Sequence, residues 1–254
     1  MNLTNDEINI VEEFKEDFFK VKEQGWIKSL RTHNTGIGKT FEESVGVIEN
    51  NSQDVDYKGY LEIKSKRALS ESMLTLFTKS PSYPKKANTY LRENFGTEED
   101  NDPTLKILHT TISHTCYNTY KGKLGFKLEI NYENKKIYIK IKDLETKDII
   151  NYEVYYSFDD LEKIIEKKCK NIAFISAEHK KVNGEEYFKF TSAKLLTGMN
   201  FDKFLEAVEE GIIVYDIRIG VYKTGKNKGK THDHGSGFRI KKNKIEEFFN
   251  VEEL

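Results

Sequence analysis

The chain has 254 residues, with 41 Lys or Arg against 42 Asp or Glu and a formal net charge of −1. Apolar residues make up only 37%, but 16 Phe and 14 Tyr supply the bulk of a real core. This length suits one large domain or two lobes, and the balanced charge excludes a disordered polyelectrolyte. A near-neutral chain has no general affinity for nucleic acid, so any such binding must come from a local patch. No apolar run approaches the roughly 18 residues of a membrane span. The N-terminus, MNLTNDEINIVEEFKEDFF, is acidic and amphipathic, unlike a signal peptide. Cys116 and Cys169 are isolated, which excludes a disulfide framework and a cysteine zinc site and predicts a reducing cytoplasm.

In chain order, residues 5–24 read as a helix with Ile8, Val11, Phe14, Phe18 and Val21 on one stripe and Gly25 as its stop. RTHNTGIGKT (31–40) reads as a glycine-containing loop and FEESVGVI (41–48) as a helical stretch. A polar turn region (49–59) leads into YLEIKSK (60–66), where Leu61 and Ile63 face one way and Glu62, Lys64 and Lys66 the other. SMLTLFTKS (72–80) is a predicted strand closed by Pro81 and Pro84; ANTYLRENFG (87–96) is a short helix, and 96–104 a surface loop. From 123 the pattern turns to strands, KLGFKLEINYE and KIYIKIKDL joined at Asn134, then IINYEVYYSF. An amphipathic helix over 158–170 precedes the buried-type strand NIAFISAEH (171–179), and FDKFLEAVEEG (201–211) is a helix with its glycine stop. Two strands, 212–223 and 237–242, flank the Gly/Lys loop TGKNKGKTHDHG. Mixed helices and strands with prominent hairpins give an α/β or α+β class.

Two apparent motifs are set aside. GIGKT lacks the glycine a phosphate-binding loop needs five residues before Gly38, since His33 stands there, and no apolar strand precedes it. His232-Asp233-His234 lacks a third and fourth ligand at zinc spacing and reads as exposed loop histidines in preference to a metal site. No Gly-x-Ser-x-Gly and no nucleophilic cysteine is present.

The constellation with chemistry is Asp56-x5-Glu62-Ile63-Lys64. On a strand Glu62 and Lys64 share a face, while Leu61 and Ile63 anchor it in the core. Asp56, at the strand's start, can swing its carboxylate beside Glu62. Two converging carboxylates suit Mg²⁺, which keeps several waters and borrows phosphate oxygens from the substrate. The ion lowers the pKa of water, and the Lys64 ammonium can steady developing negative charge. Those are the parts of phosphodiester hydrolysis. Glu42, one helix earlier, is placed to add a carboxylate. In a chain one-third charged, the same pattern also arises as a solvated strand face.

The tail carries an independent signal. Only five arginines occur, and Arg218 and Arg239 fall on two neighbouring tail strands. Asp216 and Arg218 share a face, with Ile217 and Ile219 on the other; Phe238 and Ile240 flank Arg239 toward the core. A β-ribbon fits the major groove, where Arg forks onto guanine O6 and N7 and Asp accepts from cytosine N4. His232 and His234 can add donors, and Lys223, Lys226, Lys228 and Lys230 can neutralise phosphates. The competing reading is a solvated hairpin with an Asp–Arg surface pair.

Seven segments, NTGIGKTFE (34–42), LEIKS (61–65), LTLFTKSP (74–81), ANTYLR (87–92), ISAE (175–178), DIRIG (216–220) and GKTHDHGSGFRI (229–240), run in order over most of the chain. Together they resemble the MvaI/BcnI family of type II restriction endonucleases, in the MutH-like branch of the PD-(D/E)xK nucleases. The resemblance implies that Asp56, Glu62 and Lys64 form the catalytic triad with Glu42 as accessory acid. It implies that Asp216, Arg218, His232, His234 and Arg239 read the major groove. Enzymes of this kind cut CCNGG-type sites, and this reader set resembles the CCWGG version. The usual proline before the motif's aspartate is Val55 here, and the Asp56-to-Glu62 gap is one residue longer than the family pattern. Asp54 therefore competes with Asp56 as metal ligand; Asp56 is preferred as nearer the strand.

The expected fold is a restriction-endonuclease-like mixed sheet flanked by helices, in two lobes forming a DNA cleft. Residues 1–150 are expected to be mainly catalytic, and 151–254 mainly recognition, with the 212–242 hairpin. The expected activity is Mg²⁺-dependent, site-specific hydrolysis of double-stranded DNA by a cytoplasmic monomer with no membrane partner. A cognate DNA methyltransferase is implied genetically. Alternatives are a MutH-like nicking enzyme of DNA repair, a catalytically silent sequence-specific DNA-binding protein and, more distantly, a structure-specific RNA nuclease.

Overall fold

The computed structural model describes residues 4–33, 35–47, 54–68, 73–100 and 102–254. Thr4 opens α1 (Asn5–Glu23) with a capping box, its hydroxyl accepting from the Glu7 N–H while the Glu7 carboxylate accepts from the Thr4 N–H. β1 (Trp26–Lys28) follows. α2 (Gly36–Ser44) starts at Gly36 and not at Phe41, so GIGKT is its first turn and not a loop. The reason is local: the Thr40 hydroxyl donates to Gly36 O at 2.7 Å and accepts from the Leu30 N–H, while Ile37 and Phe41 bury one face. The expected helix end at Ile48 and part of the turn region over 49–59 lie outside the described residues.

The remaining elements are β2 (Glu62–Arg67), β3 (Leu74–Thr78), α3 (Ala87–Phe95), β4 (Thr97–Glu99) and β5 (Asp102–Ile112). The expected loop over 96–104 is thus largely strand, because Thr97 and Glu98 pair with Ile107 and Lys106. Then come β6 (Leu124–Asn131), β7 (Lys136–Asp143), β8 (Ile149–Asn151), β9 (Tyr155–Ser157), α4 (Phe158–Lys168), β10 (Asn171–Val182) and β11 (Glu185–Thr197). The chain finishes with α5 (Phe201–Glu209), β12 (Ile213–Val221), β13 (Thr231–Asp233), β14 (Gly237–Ile240), α6 (Ile245–Phe248) and β15 (Asn250–Glu253). Among the described residues, no helix is long and apolar enough to cross a membrane.

The chain forms two compact units. One comprises Met1–Ser72, Lys167–Met199 and Phe249–Leu254; the other comprises Met73–Glu166 and Asn200–Phe248. This differs from a single division near residue 150, for a topological reason. β2 and β10 are parallel neighbours, and parallel strands need a long crossover between them. Here the first segment of the second unit is that crossover.

In the first unit the strand order is β1-β11-β10-β2, with β15 also on β11. Phe14 and Phe18 from α1 and Ile37 and Phe41 from α2 pack with Leu61, Ile63, Ile175 and Phe190 in one core. The rings of Phe41 and Phe190 meet edge-on at 5.0 Å. Each such side chain contributes roughly 1.5–3 kcal/mol by leaving water. In the second unit one sheet runs β3-β14-β12-β5-β4, with β13 on β12, and another runs β6-β7-β8, with β9 on β7. Phe204 of α5 packs on Phe77 and Phe238 beneath β3 and β14, at 5.8 and 5.2 Å.

Candidate functional site

In the first unit, Leu61 and Ile63 fix β2 in the core, and Glu62 projects opposite them while only 4% exposed. Lys58 and Gly59 both have positive φ, 49° and 69°, the backbone of a tight hairpin turn. The Tyr57 N–H donates to Leu61 O at 2.9 Å across it. That turn folds Asp56 back onto the strand, where its Oδ2 accepts from the Ile63 N–H at 2.9 Å. Burial first, and the Glu62 charge second, hold the Asp56 carboxyl above its ordinary range; Lys64 and Lys168 only partly offset them. The turn thus brings the two carboxylates close enough to repel one another.

Both oxygens of Glu62 are engaged. Lys64 Nζ donates to Oε1 at 2.6 Å and Lys168 Nζ donates to Oε2 at 2.7 Å. Lys168 also donates to the Asp54 carbonyl at 2.9 Å, while the exposed Asp54 carboxylate accepts from Lys167 at 3.0 Å. Sequence reasoning missed Lys168. It lies at the end of α4, just before β10, and the Ile172↔Glu62 register brings that end beside the start of β2. Its only sequence signal, lysine in the last turn of a helix, is the ordinary dipole preference. Cys169 is fully buried and its thiol is pushed up to about 12 by burial, which excludes it as a nucleophile. Glu42 lies on α2, which packs against β2; its Oε1 is 3.5 Å from where a β-carbon at Gly38 would stand. Among the described residues, no three or more His, Cys, Asp or Glu form a group able to hold a metal. The fit for a hard divalent cation rests on the Asp56–Glu62 pair, oxygen donors whose mutual repulsion a cation would relieve.

In the second unit, β12 presents Asp216 and Arg218 on one face, Asp216 buried and the Arg218 side chain 50% exposed. Thr111 donates to Asp216 Oδ1 at 2.8 Å, Arg218 Nε donates to Oδ2 at 2.6 Å, and Arg239 Nε faces Oδ2 at 3.0 Å. Thr111 and Arg218 fill two of about four lone-pair sites on the carboxylate, and Arg239 Nε faces it without hydrogen-bonding, so capacity for an outside donor remains. Arg218 is half exposed, and its terminal nitrogens make no hydrogen bond among the described residues. Arg239 is more enclosed, with Nη1 donating to Thr75 and Nη2 to Gly235 O.

The HDHGS segment is attached to β12 at Arg218. β12 pairs with β14 up to Asp216 and with β13 from Ile219. In the gap, the Arg218 N–H donates to Ser236 Oγ at 2.8 Å and Arg218 O accepts from the His234 N–H at 2.8 Å. Asp233 fixes the turn, its Oδ1 accepting from the Gly235 and Ser236 N–H groups and its Oδ2 from Asn88. Asn88 belongs to α3, whose Thr89 and Arg92 hydrogen-bond Thr231 of β13. His232 stacks on Tyr222 with ring centroids 4.3 Å apart. His234 lies over Gly220, where an added β-carbon would stand 2.6 Å from its Nε2. The structure therefore gathers Asp216, Arg218, His232, His234 and Arg239 on one sheet, and adds Thr111, Tyr222 and α3 as supports that sequence reasoning missed. Of the four loop lysines, Lys223 pairs with Glu99 at 2.7 Å, Lys228 with Asp102 at 3.5 Å, and Lys230 bonds Asn227. Lys226 has no carboxylate partner among the described residues.

The model of the MvaI/BcnI restriction endonuclease family matches residues 15–249. No curated protein matches the chain. Among solved structures, restriction endonuclease MvaI in complex with its cognate DNA substrate is 38% identical, with a TM-score of 0.88 over 99% of this chain and 99% of that one. MvaI in the absence of DNA is also 38% identical, with a TM-score of 0.64 over 100% of this chain and 99% of that one. On these matches, and on the mixed α+β fold that carries the Asp56–Glu62–Lys64 cluster, the chain belongs to the MvaI/BcnI restriction endonuclease family and is a type II site-specific deoxyribonuclease.

Proposed function

We propose that this endonuclease uses Mg²⁺ at Asp56 and Glu62 to hydrolyse phosphodiesters of double-stranded DNA at CCWGG-type sites, read by Asp216, Arg218, His232, His234 and Arg239. Restriction endonucleases of this family generally use divalent metal ions, and the MvaI structure with its cognate DNA supports duplex DNA as the partner. The observation that carries the reading is the convergence of Asp56 on a buried Glu62 with Lys64 at 2.6 Å.

A bound divalent cation supplies a more acidic water and neutralises charge at the phosphorus. Asp56 is the aspartate of the pair, because its carboxylate faces Glu62 while that of Asp54 is exposed and turned to Lys167. Lys64, released from Oε1, orients the attacking water and steadies the charge growing on the phosphate oxygens. Lys168 keeps Oε2 of Glu62 in place. Glu42 is the accessory acid of this scheme and would swing from its position over Gly38 to join. In the reading unit, Arg218 forks onto a guanine, Asp216 offers a remaining lone pair to a cytosine N4, and Lys226 meets phosphate without exchanging an ion pair. The protein acts as a monomer in the cytoplasm, and a cognate methyltransferase protects the host DNA.

Incubation with unmethylated supercoiled plasmid and Mg²⁺, beside Glu62→Ala, tests this. Discrete fragments ending at CCWGG sites are expected, absent from the variant and without Mg²⁺. Specific binding with no cleavage under any condition would instead favour a silent DNA-binding protein.

A further inference from the structure

We propose that His109, on β5, is a specificity-determining residue that donates a hydrogen bond to a base edge beside the one held by Arg218. The inference rests on the reading that this sheet face meets the major groove.

Register places the residue. Arg218 pairs with His109 and Asp216 with Thr111, so all four side chains project from the same face of the sheet. The alternate residues Leu108 and Ile112 are buried in the core, while His109 is exposed. A concavity of about 400 Å³ is lined by His109, Thr110, Asp216, Ile217, Arg218 and His234. His109 stands edge-on to His234, with ring centroids 6.2 Å apart. It thereby closes a row of rings that begins with Tyr222 and passes through His232, whose ring lies 4.4 Å from that of His234.

Hydrogen-bond accounting separates His109 from the supports. Thr111, Asp216 and Arg239 each make side-chain hydrogen bonds inside the chain. Neither ring nitrogen of His109 has a hydrogen-bond partner among the described residues. Partial desolvation first, and the adjacent Arg218 charge second, favour its neutral form, which carries one donor and one acceptor. A core histidine would be enclosed and bonded within the chain; this one is exposed, with both ring nitrogens open to an outside partner. Neighbouring strands lie roughly 4.8 Å apart and stacked bases about 3.4 Å apart. A side chain one strand away from Arg218 therefore reaches the same base pair or the next. The acceptors there are purine N7, guanine O6 and thymine O4.

The test uses a duplex library randomised across the cleavage region and sequences the ends made by the parent chain and by His109→Phe. Phenylalanine keeps the ring contact with His234 and removes both nitrogens. The expected result is a parent with one defined site and a variant whose preference relaxes about tenfold or more at a single base-pair position. Non-specific affinity and its salt dependence should not change. His109→Gln, which keeps a side-chain donor, should recover part of the preference and serves alone if the Phe variant does not fold. An unchanged preference at every position in both variants overturns the proposal. A uniform loss of affinity with a shallower salt slope also overturns it, because that marks a phosphate contact. A parent chain that cuts with no preferred sequence overturns the groove reading itself, and this inference with it.

Discussion

Glu62 is gripped at both oxygens by ammonium groups, one from its own strand and one from the end of a helix. In the proposed mechanism the two lysines have different duties. Lys64 can leave Oε1 because it stands on a strand face 24% exposed at the side chain, whereas Lys168 is also tied to the Asp54 carbonyl. Lys168→Ala is expected to slow single-turnover cleavage about 10–100-fold, the usual cost of losing a partner that orients a metal-binding carboxylate. Specific binding should survive, and a binding assay in Ca²⁺ beside the cleavage assay checks both. The imidazoles make a second residue-scale prediction. Partial desolvation holds His109 and His234 below the ordinary value of 6.5. Arg218, Lys223 and His232 push the same way, and Asp216 and Asp233 oppose them. The unfolded chain therefore binds protons first as pH falls below about 6.5, so stability is full above that value and declines toward the folded ones. Urea unfolding at pH about 7.5 and about 5.5 should show that decline, and a smaller one in His109→Phe.

At the scale of elements, the reading hairpin depends on one bare strand position. Gly220→Ala puts a methyl 2.6 Å from His234 Nε2, so the imidazole must shift while the backbone need not. The expected variant folds with near-parent stability, keeps non-specific DNA binding and loses discrimination, as measured by competition between cognate and scrambled duplexes. Little of this was legible beforehand. The alternation over 61–66 and the apolar flanks of Asp216, Arg218 and Arg239 were legible, because a strand's period of two assigns faces without tertiary knowledge. β5 was not, because His109, Thr110 and Thr111 interrupt its apolar residues, and its role becomes visible only through the pairing with β12. Lys168 was silent for a related reason: its partner is 106 positions away. The helix over GIGKT was misread as a loop because two glycines weaken propensity, while a buried face and the Thr40 hydroxyl outweigh them.

For the whole molecule, the proposed mechanism has one Asp56–Glu62–Lys64 cluster per chain serving two DNA strands. A monomer must nick one strand, release or turn, and then cut the other. Limited digestion of supercoiled plasmid should therefore accumulate open circles before linear DNA at low enzyme, with the ratio independent of enzyme concentration; direct conversion to linear DNA would indicate a dimer. The net charge of −1 adds that discrimination rests on local contacts more than on a general field. The interleaved chain has a further practical meaning. Because the unit that carries Asp56, Glu62 and Lys64 is assembled from Met1–Ser72, Lys167–Met199 and Phe249–Leu254, no contiguous fragment contains it, and no single splice exchanges it. Grafting a new reader onto this nuclease requires replacing two separate stretches at once, so altered specificity is more accessible through point changes within the sheet than by recombining whole parts.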